Sequence, residues 1–367
     1  MIKKITRSFS VLALSLFVLT GCGENKTSAV TEGNVQPEQE KFAWKLVTSW
    51  PKNFPGLGMA PEKFAKHVNA MSNGRLTVKV YGAGELVPGF EVFDAVSQGT
   101  VQMGHSGSYY WKGKIPAAPI FSAIPFGMTA TEFNAWLHYG GGIELWQELY
   151  QPFGIKPLPG GNSGAQFGGW FKKEINSVAD LQGLKMRIPG LAGEVLKSAG
   201  AIPVTLTGGE IFSALQSGAI DATEWVGPYN DLAFGFYQAA DYYYSSVWHE
   251  PGTGLEFLIN QQAFDALPAD LQAIVEVAAN AVNESTLAEY NARNNAALKT
   301  LLEEHKVQLR QFPMEVMQAL KQHTDALIVE QVAADKDFAR VWQSYSEFLA
   351  SMHEFNKLTL QSYYENR

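Results

Sequence analysis

Gly208-Gly209-Glu210-Ile211-Phe212-Ser213-Ala214-Leu215-Gln216-Ser217-Gly218-Ala219-Ile220 repeats a pattern met 119 residues earlier, at Gly89-Phe90-Glu91-Val92-Phe93-Asp94-Ala95-Val96-Ser97-Gln98-Gly99-Thr100-Val101. Each copy sets apolar residues at i, i+1, i+3 and i+4, the spacing of one buried helix face. Each then has a Gly where a C-terminal cap belongs, Gly99 or Gly218. A short apolar strand follows, Val101 to Gly104 or Ile220 to Thr223. Copies this far apart do not stack as a solenoid. They fit two lobes, each with alternating strands and helices about a mostly parallel sheet. Chance recurrence of a common helix-then-strand unit is the alternative; the shared Gly, Glu, Phe, Ala and Gly weigh against it.

Working outward, Trp44 to Trp50 alternates like a strand, Ala60 to Met71 has helical spacing, and Leu76 to Tyr81 reads as a second strand. Gly140-Gly141-Gly142, Gly160-Gly161 and Gly168-Gly169 suit crossings between lobes, where backbone approaches backbone or ligand closely. Leu184, Met186 and Ile188 share one face of a strand, so Lys185 and Arg187 share the other. Pro189-Gly190 ends that strand and Ala192 to Ser198 reads as a helix. Arg187 therefore sits at a strand's C-terminal end before a helix, the edge where open α/β sheets bind ligands. A surface ion pair is its alternative role. Pro268 to His305 reads as one helix of over thirty residues, and Val307 to Phe312 as a short strand. Met314 to Tyr364 is largely helical, with a break at Ala333 to Asp337. The stripe Tyr345, Phe348, Met352 and Phe355 either packs on the body or forms a subunit contact.

The N-terminus reads as a processing signal: Lys3, Lys4 and Arg7, then the apolar run Phe9 to Leu19, then Leu19-Thr20-Gly21-Cys22. The last four residues look like a bacterial lipobox, with Cys22 as the lipidated residue. An ordinary secretory signal with a chance Cys is the alternative. Cys22 is the single cysteine of the chain, so it has no intrachain disulfide partner. The polar stretch that follows suits a solvated tether. The expected organisation is a signal at 1–21, a tether at 22–42, and a membrane attachment through lipid alone.

At 367 residues, 46% hydrophobic and 17% charged, the chain can bury two cores. The net charge of -8, with no basic stripe, argues against a nucleic-acid partner. Catalytic patterns are missing. Gly161-Asn162-Ser163-Gly164-Ala165 lacks the last Gly of a nucleophile elbow, and His353-Glu354 lacks the second His of a zinc-protease helix. Of the seven His, His105 and His249 are the two placed beside other candidate groups. What stands out instead is a pocket: aromatic Tyr109, Tyr110, Phe126, Trp170, Phe171, Trp225 and Tyr229 around a few polar groups. A guanidinium grips a carboxylate through two parallel hydrogen bonds. Glu224 would repel that carboxylate unless a cation lay between them. Gln and Glu oxygens with a backbone carbonyl suit Na⁺ or Ca²⁺, not zinc.

At this point the chain resembles the solute-binding subunits of tripartite ATP-independent periplasmic (TRAP) transporters, in particular the branch that binds 2-oxo and related hydroxy acids. The resemblance rests on Thr48 to Asn53, Gly104-His105 through Trp111, Ala123 to Met128, Gly161-Asn162 through Phe171, Lys185 to Gly190, Ala222 to Pro228 and Trp248 to Gly252. It implies two Rossmann-like α/β lobes of the periplasmic-binding-protein type, with hinge-crossing strands and long C-terminal helices. The lobes would comprise residues 43–158 plus 225–252 and residues 159–224 plus 253–312, with 313–367 as C-terminal helices. It implies Arg187 as the carboxylate clamp, and Gln166, Glu224 and the backbone oxygen of Trp225 as cation ligands. Asn162, Tyr109 or Tyr110, and Phe126 match pocket-lining segments. The implied partners are a small carboxylate such as pyruvate or lactate, Na⁺ or Ca²⁺, and the membrane permease subunits. Some relatives form a swapped dimer through the C-terminal helix, and this chain is long enough for that homodimer. The lipobox departs from the many family members that are free in the periplasm. Two other readings stay open on sequence: a lipid-anchored enzyme with Glu224 or His105 as base, and an assembly or sensor partner that has lost transport.

Overall fold

The structure, a computed structural model, describes residues 40–367. The expected signal peptide, Cys22 and most of the tether lie outside the described residues. The strands are β1 (Phe42–Thr48), β2 (Leu76–Tyr81), β3 (Met103–Ser106), β4 (Ile155–Asn162), β5 (Gly169–Phe171), β6 (Lys185–Arg187), β7 (Ile202–Val204), β8 (Ala222–Thr223), β9 (Tyr242–Tyr244), β10 (Gly254–Asn260) and β11 (Gln308–Arg310). They make two sheets, one in the order β2-β1-β3-β10-β4 and one in the order β11-β9-β5-β8-β6-β7. Each sheet has one strand antiparallel to both neighbours, β10 in the first and β5 in the second, and the other pairs are parallel. The architecture is the two-lobed α/β binding-protein fold with long C-terminal helices.

The sequence repeat falls one copy to each lobe. The helices Val92–Ser97 and Gly208–Ser217 turn at Gly99 and Gly218, both left-handed (φ +70° and +79°), and lead to β3 and β8 in their separate sheets. A residue with a Cβ is strained at such an angle, so the two Gly mark the same corner twice.

The expected lobe boundaries need correction at the return strands. β9, within 225–252, lies in the six-stranded sheet, and β10, within 253–312, lies in the five-stranded one, the reverse of the expectation. β4 also stays in the five-stranded sheet up to Asn162, past the expected change of lobe at 159. The segment after Trp225 is kept in the six-stranded lobe by buried Asp231 on the helix Pro228–Phe234. Its carboxylate accepts from Trp170 Nε1 (3.0 Å) on β5 and from the Tyr243 hydroxyl (2.6 Å) on β9. The chain crosses between sheets at 163–168 and 245–253. Of the Gly-rich joints, Gly168-Gly169 lies at a crossing. Gly140-Gly141-Gly142 separates two consecutive helices, and Gly160 sits inside β4, where a Cβ would come within 2.6 Å of the Glu256 backbone.

The helix Ala269–Glu303 is unbroken over 35 residues and joins both lobes. Leu271, Val275 and Val282 pack with Trp44, Leu46 and Phe257 of the five-stranded lobe. Tyr290 and Leu301 pack with Trp170, Ile211 and Tyr243 of the other. The helices Met314–Ala334 and Lys336–Asn356 break at Asp335, whose Oδ1 accepts from Phe338 N (2.7 Å) as an N-cap. The first lies on the helix Gly190–Ser198 and the second on the helices Ala130–Tyr139 and Gly142–Tyr150. Tyr345 of the expected stripe is buried and takes a hydrogen bond from Met128 N (2.6 Å); Phe355 at its far end is exposed. No helix of the described residues is long and apolar enough to cross a membrane.

Candidate functional site

β6 ends at Arg187 and β8 at Thr223, and the two residues pair in register. The next residue of β8's chain, Glu224, is thereby delivered to the Arg187 side chain. Glu224 N donates to Arg187 O (3.2 Å), and Arg187 Nη1 donates to both the Glu224 backbone oxygen (3.2 Å) and its Oε1. Arg187 Nε donates to Leu206 O (3.3 Å), and Nη2 reaches the Tyr110 hydroxyl (3.3 Å) on the opposite lobe. Its guanidinium lies 5.0 Å from the Trp225 ring. Arg187 and Glu224 are each only 1% exposed. Burial opposes the guanidinium charge, and Glu224, with the nearby tyrosines and Glu250, outweighs that and holds Arg187 protonated. The surface ion pair weighed as an alternative for Arg187 is thus a buried one, made with the residue expected to bind a cation.

Gln166 lies on the crossing from β4 to β5. Its Nε2 donates to Ser163 Oγ (2.9 Å) and Thr253 Oγ1 (2.9 Å), and its backbone N–H to Glu250 O (3.0 Å). With the amide nitrogen anchored, Oε1 is turned to the other side, buried and without a hydrogen-bond donor. Glu224 Oε2 is likewise buried with no donor within bonding geometry; His249 Nε2 stands 3.5 Å from it. Ligand atoms of Glu224, His249 and Glu250 all lie within 4.8 Å of one another. Burial, then the neighbouring Glu224, pushes the Glu250 carboxyl up to about 7, and Thr253 Oγ1 donates to it (2.6 Å). Buried acceptors without donors cost free energy unless something electropositive joins them. This donor set, an amide oxygen and two carboxylates, fits a hard cation. One expectation changes: the set is not purely oxygen, because the His249 imidazole stands among it.

The remaining expected residues divide. Tyr109 and Trp225 border a small, nearly closed cavity of about 10 Å³ with Gln166. Tyr110 packs on Tyr109 (4.6 Å) and Phe90 (4.8 Å). Asn162 is buried, and its Oδ1 accepts from Gly164 N (2.8 Å), which shapes the crossing; its Nδ2 has no partner. Phe126 lies against Trp248 (6.2 Å), and its backbone N–H donates to Trp248 O (2.6 Å); it does not border the cavity. His105 is not placed as a base. It is fully buried, and burial lowers its pKa to about 4. Residues that sequence reasoning did not assign are Trp50, Ser163, Thr253, Glu250 and, as a donor, His249. His249 and Glu250 stand within the quoted Trp248 to Gly252 motif, and Ser163 within Gly161 to Phe171; nothing in the sequence signals Thr253.

Two α/β lobes meeting over a buried arginine and a cluster of carboxylates define an extracytoplasmic solute-binding receptor. The sequence model of bacterial extracellular solute-binding protein family 7 (DctP) matches residues 46–335, and the chain belongs to that family. A monocarboxylate 2-oxoacid-binding periplasmic protein of Nostoc is 42% identical over 356 residues, 96% of this chain and 95% of its own. A TRAP solute-binding protein of Pseudoalteromonas atlantica, solved with sodium and pyruvate, is 46% identical with a TM-score of 0.87, over 89% of this chain and all of the other. One from Bordetella bronchiseptica, a mixed-occupancy dimer with calcium and picolinate, is 36% identical with a TM-score of 0.88, over 89% and 97%. The chain is therefore a TRAP transporter receptor of a periplasmic family, and not an enzyme.

Proposed function

We propose that this receptor binds a small 2-oxo monocarboxylate, pyruvate being the simplest, together with Na⁺ or Ca²⁺, and delivers it to its membrane permease by lobe closure. The observation that carries the reading is a buried guanidinium beside two buried oxygen acceptors that no protein donor satisfies, Gln166 Oε1 and Glu224 Oε2. Gln166, Glu224 and the Trp225 backbone oxygen would hold the cation, with Glu250 and His249 beside them, and the cation supplies the charge that lets a carboxylate approach Glu224. Arg187 meets the ligand carboxylate through Nη2, whose present contact is the Tyr110 hydroxyl, because Nε and Nη1 are held by Leu206 and Glu224. Tyr110 and Tyr109 close on it from the other lobe, and the Trp225 ring covers Arg187. Pyruvate and picolinate, the ligands of two relatives, share a second donor atom next to a carboxylate, which supports a ligand that chelates. A 2-hydroxy acid such as lactate has the same arrangement.

A thermal-shift screen of the mature domain tests this, with pyruvate, lactate, succinate and a neutral sugar, each with Na⁺, Ca²⁺ or a chelator. Ligand at a hundred times its dissociation constant adds about 2.7 kcal/mol to the folded state. A rise confined to 2-oxo or 2-hydroxy monocarboxylates and lost when both cations are withheld is expected; a rise with the sugar, or none with any acid, rejects the reading.

Two further parts of the proposal concern attachment and assembly. Lipid modification of Cys22 anchors the receptor to a membrane, and a Cys22→Ser chain should be released in soluble form with no added lipid mass. A homodimer forms through the C-terminal helices, supported by exposed Phe355, Leu358, Tyr363 and Tyr364 and by the dimeric Bordetella relative. Light scattering of the mature domain should give twice the chain mass.

A further inference from the structure

Resting on the reading that the cleft holds a small 2-oxo acid, we infer that Trp50 limits the length of the ligand side chain and that His105 fixes it in place. Trp50 follows the end of β1, is 1% exposed, and has its backbone oxygen bound by Ala83 N (2.9 Å). Its ring meets Trp225 edge-on (6.0 Å, 81°) and lies 6.1 Å from Tyr110. Trp50 belongs to one lobe and Trp225 to the other, so this wall exists only when the lobes are together.

Trp50 lines a small cavity with Leu57, Trp225, Val226 and Leu255, which Gln166, Ser163 and Thr253 also border. The ligand carboxylate belongs at Arg187, whose guanidinium lies against the same Trp225 ring that Trp50 meets. The room left inside the cavity is about 10 Å³, far below the range of small-molecule pockets, so its walls nearly touch. A ligand side chain longer than a methyl would have to push the Trp50 ring aside. An indole has few ways to yield, and here it has fewer. Trp50 Nε1 donates to His105 Nδ1 (2.8 Å), and His105 Nε2 lies 2.9 Å from Gly160 O on β4. The first bond makes Nδ1 the acceptor, so Nε2 carries the hydrogen and donates to the carbonyl. The imidazole also lies 4.9 Å from the Phe257 ring on β10. Swinging Trp50 aside would leave a buried N–H and a buried ring nitrogen both unpaired, which holds the wall rigid.

The experiment is calorimetry with pyruvate, 2-oxobutyrate and 4-methyl-2-oxopentanoate, at fixed Na⁺ or Ca²⁺, on the wild type and on Trp50→Leu, Trp50→Phe, His105→Ala and His105→Asn. Its readout is the ratio of affinities, longer acid against pyruvate. Pockets discriminate a methylene by about 10–200-fold. Trp50→Leu should therefore move the ratio at least tenfold toward the longer acids, and His105→Ala should move it the same way by less. His105→Asn, which restores an acceptor for the indole, should return the ratio toward wild type. An unchanged ratio in Trp50→Leu overturns the inference while leaving the ligand class intact. If that variant does not fold, Trp50→Phe decides, with a shift of threefold or more expected and none overturning it. A wild type that binds no 2-oxo acid overturns the ligand class and this inference together.

Discussion

Arg187 and Glu224 form a fully buried ion pair across adjacent strands, with Arg187 Nη1 donating to both the backbone and the side-chain oxygen of Glu224. The pair joins the two halves of the site, because the clamp for an anion is held by a candidate ligand of a cation. Removing one partner leaves the other charged and buried, which typically costs about 3–5 kcal/mol. Glu224→Gln should therefore lower the melting temperature of the ligand-free protein by several degrees and abolish its response to added Na⁺ or Ca²⁺. A cation response that survives in Glu224→Gln removes Glu224 from the ligand set.

Arg187→Lys keeps a positive charge and loses the planar fork. Hydrogen bonds to charged groups are worth about 1.5–3 kcal/mol each, so losing one should weaken pyruvate binding by about 10–100-fold. Titration calorimetry checks this. Affinity within threefold of wild type would place the carboxylate elsewhere.

Gln166→Leu deletes the unpartnered Oε1 at nearly constant volume, together with the bonds to Ser163 and Thr253. Ligand affinity in saturating cation should fall about tenfold or more. The difference in binding with and without added Na⁺ or Ca²⁺ should shrink. A wild-type cation effect in this variant would exclude Gln166 from the cation site.

Glu256 is buried on β10, where Trp111 Nε1 donates to it (2.5 Å) and burial raises its carboxyl to about 8. Between about pH 4.5 and 8 the folded state keeps a proton that the unfolded state releases. Glu256 therefore stabilises the fold below that window, and the contribution is lost as pH rises through it, at roughly 1 kcal/mol per unit. His105, lowered to about 4, has the opposite sign but acts only below about pH 6.5. From pH 6.5 to 8 the melting temperature should fall in the wild type and fall less in Glu256→Gln. Parallel curves for the two proteins would refute the assignment.

Tyr345→Phe leaves Met128 N–H buried and unpaired just before the helix Ala130–Tyr139. A loss of about 1–3 kcal/mol in chemical denaturation is expected. No measurable loss would mean that water replaces the hydroxyl.

The sequence by itself determined the class of element at nearly every point that matters. The repeat at Gly89 and Gly208, the alternation that sets Arg187 on the face opposite Met186, the long helix Ala269–Glu303 and the break at Asp335 are local patterns of spacing and capping, so they could be read without coordinates. Arg187, Gln166 and Glu224 could be singled out as candidates because short motifs around them carry a family signal. Only the tertiary structure decided how strands that are distant in sequence share a sheet. β9 and β10 exchange the lobes expected of them because Asp231 bonds Trp170 and Tyr243, and because β10 runs between β3 and β4. The same long-range pairing sets Glu224 against Arg187, brings His249 and Glu250 beside Glu224, and hangs Trp50 on His105. Side-chain chemistry is written locally, but which groups face each other depends on sheet register and lobe crossing. Those are fixed by contacts between residues tens to hundreds of positions apart.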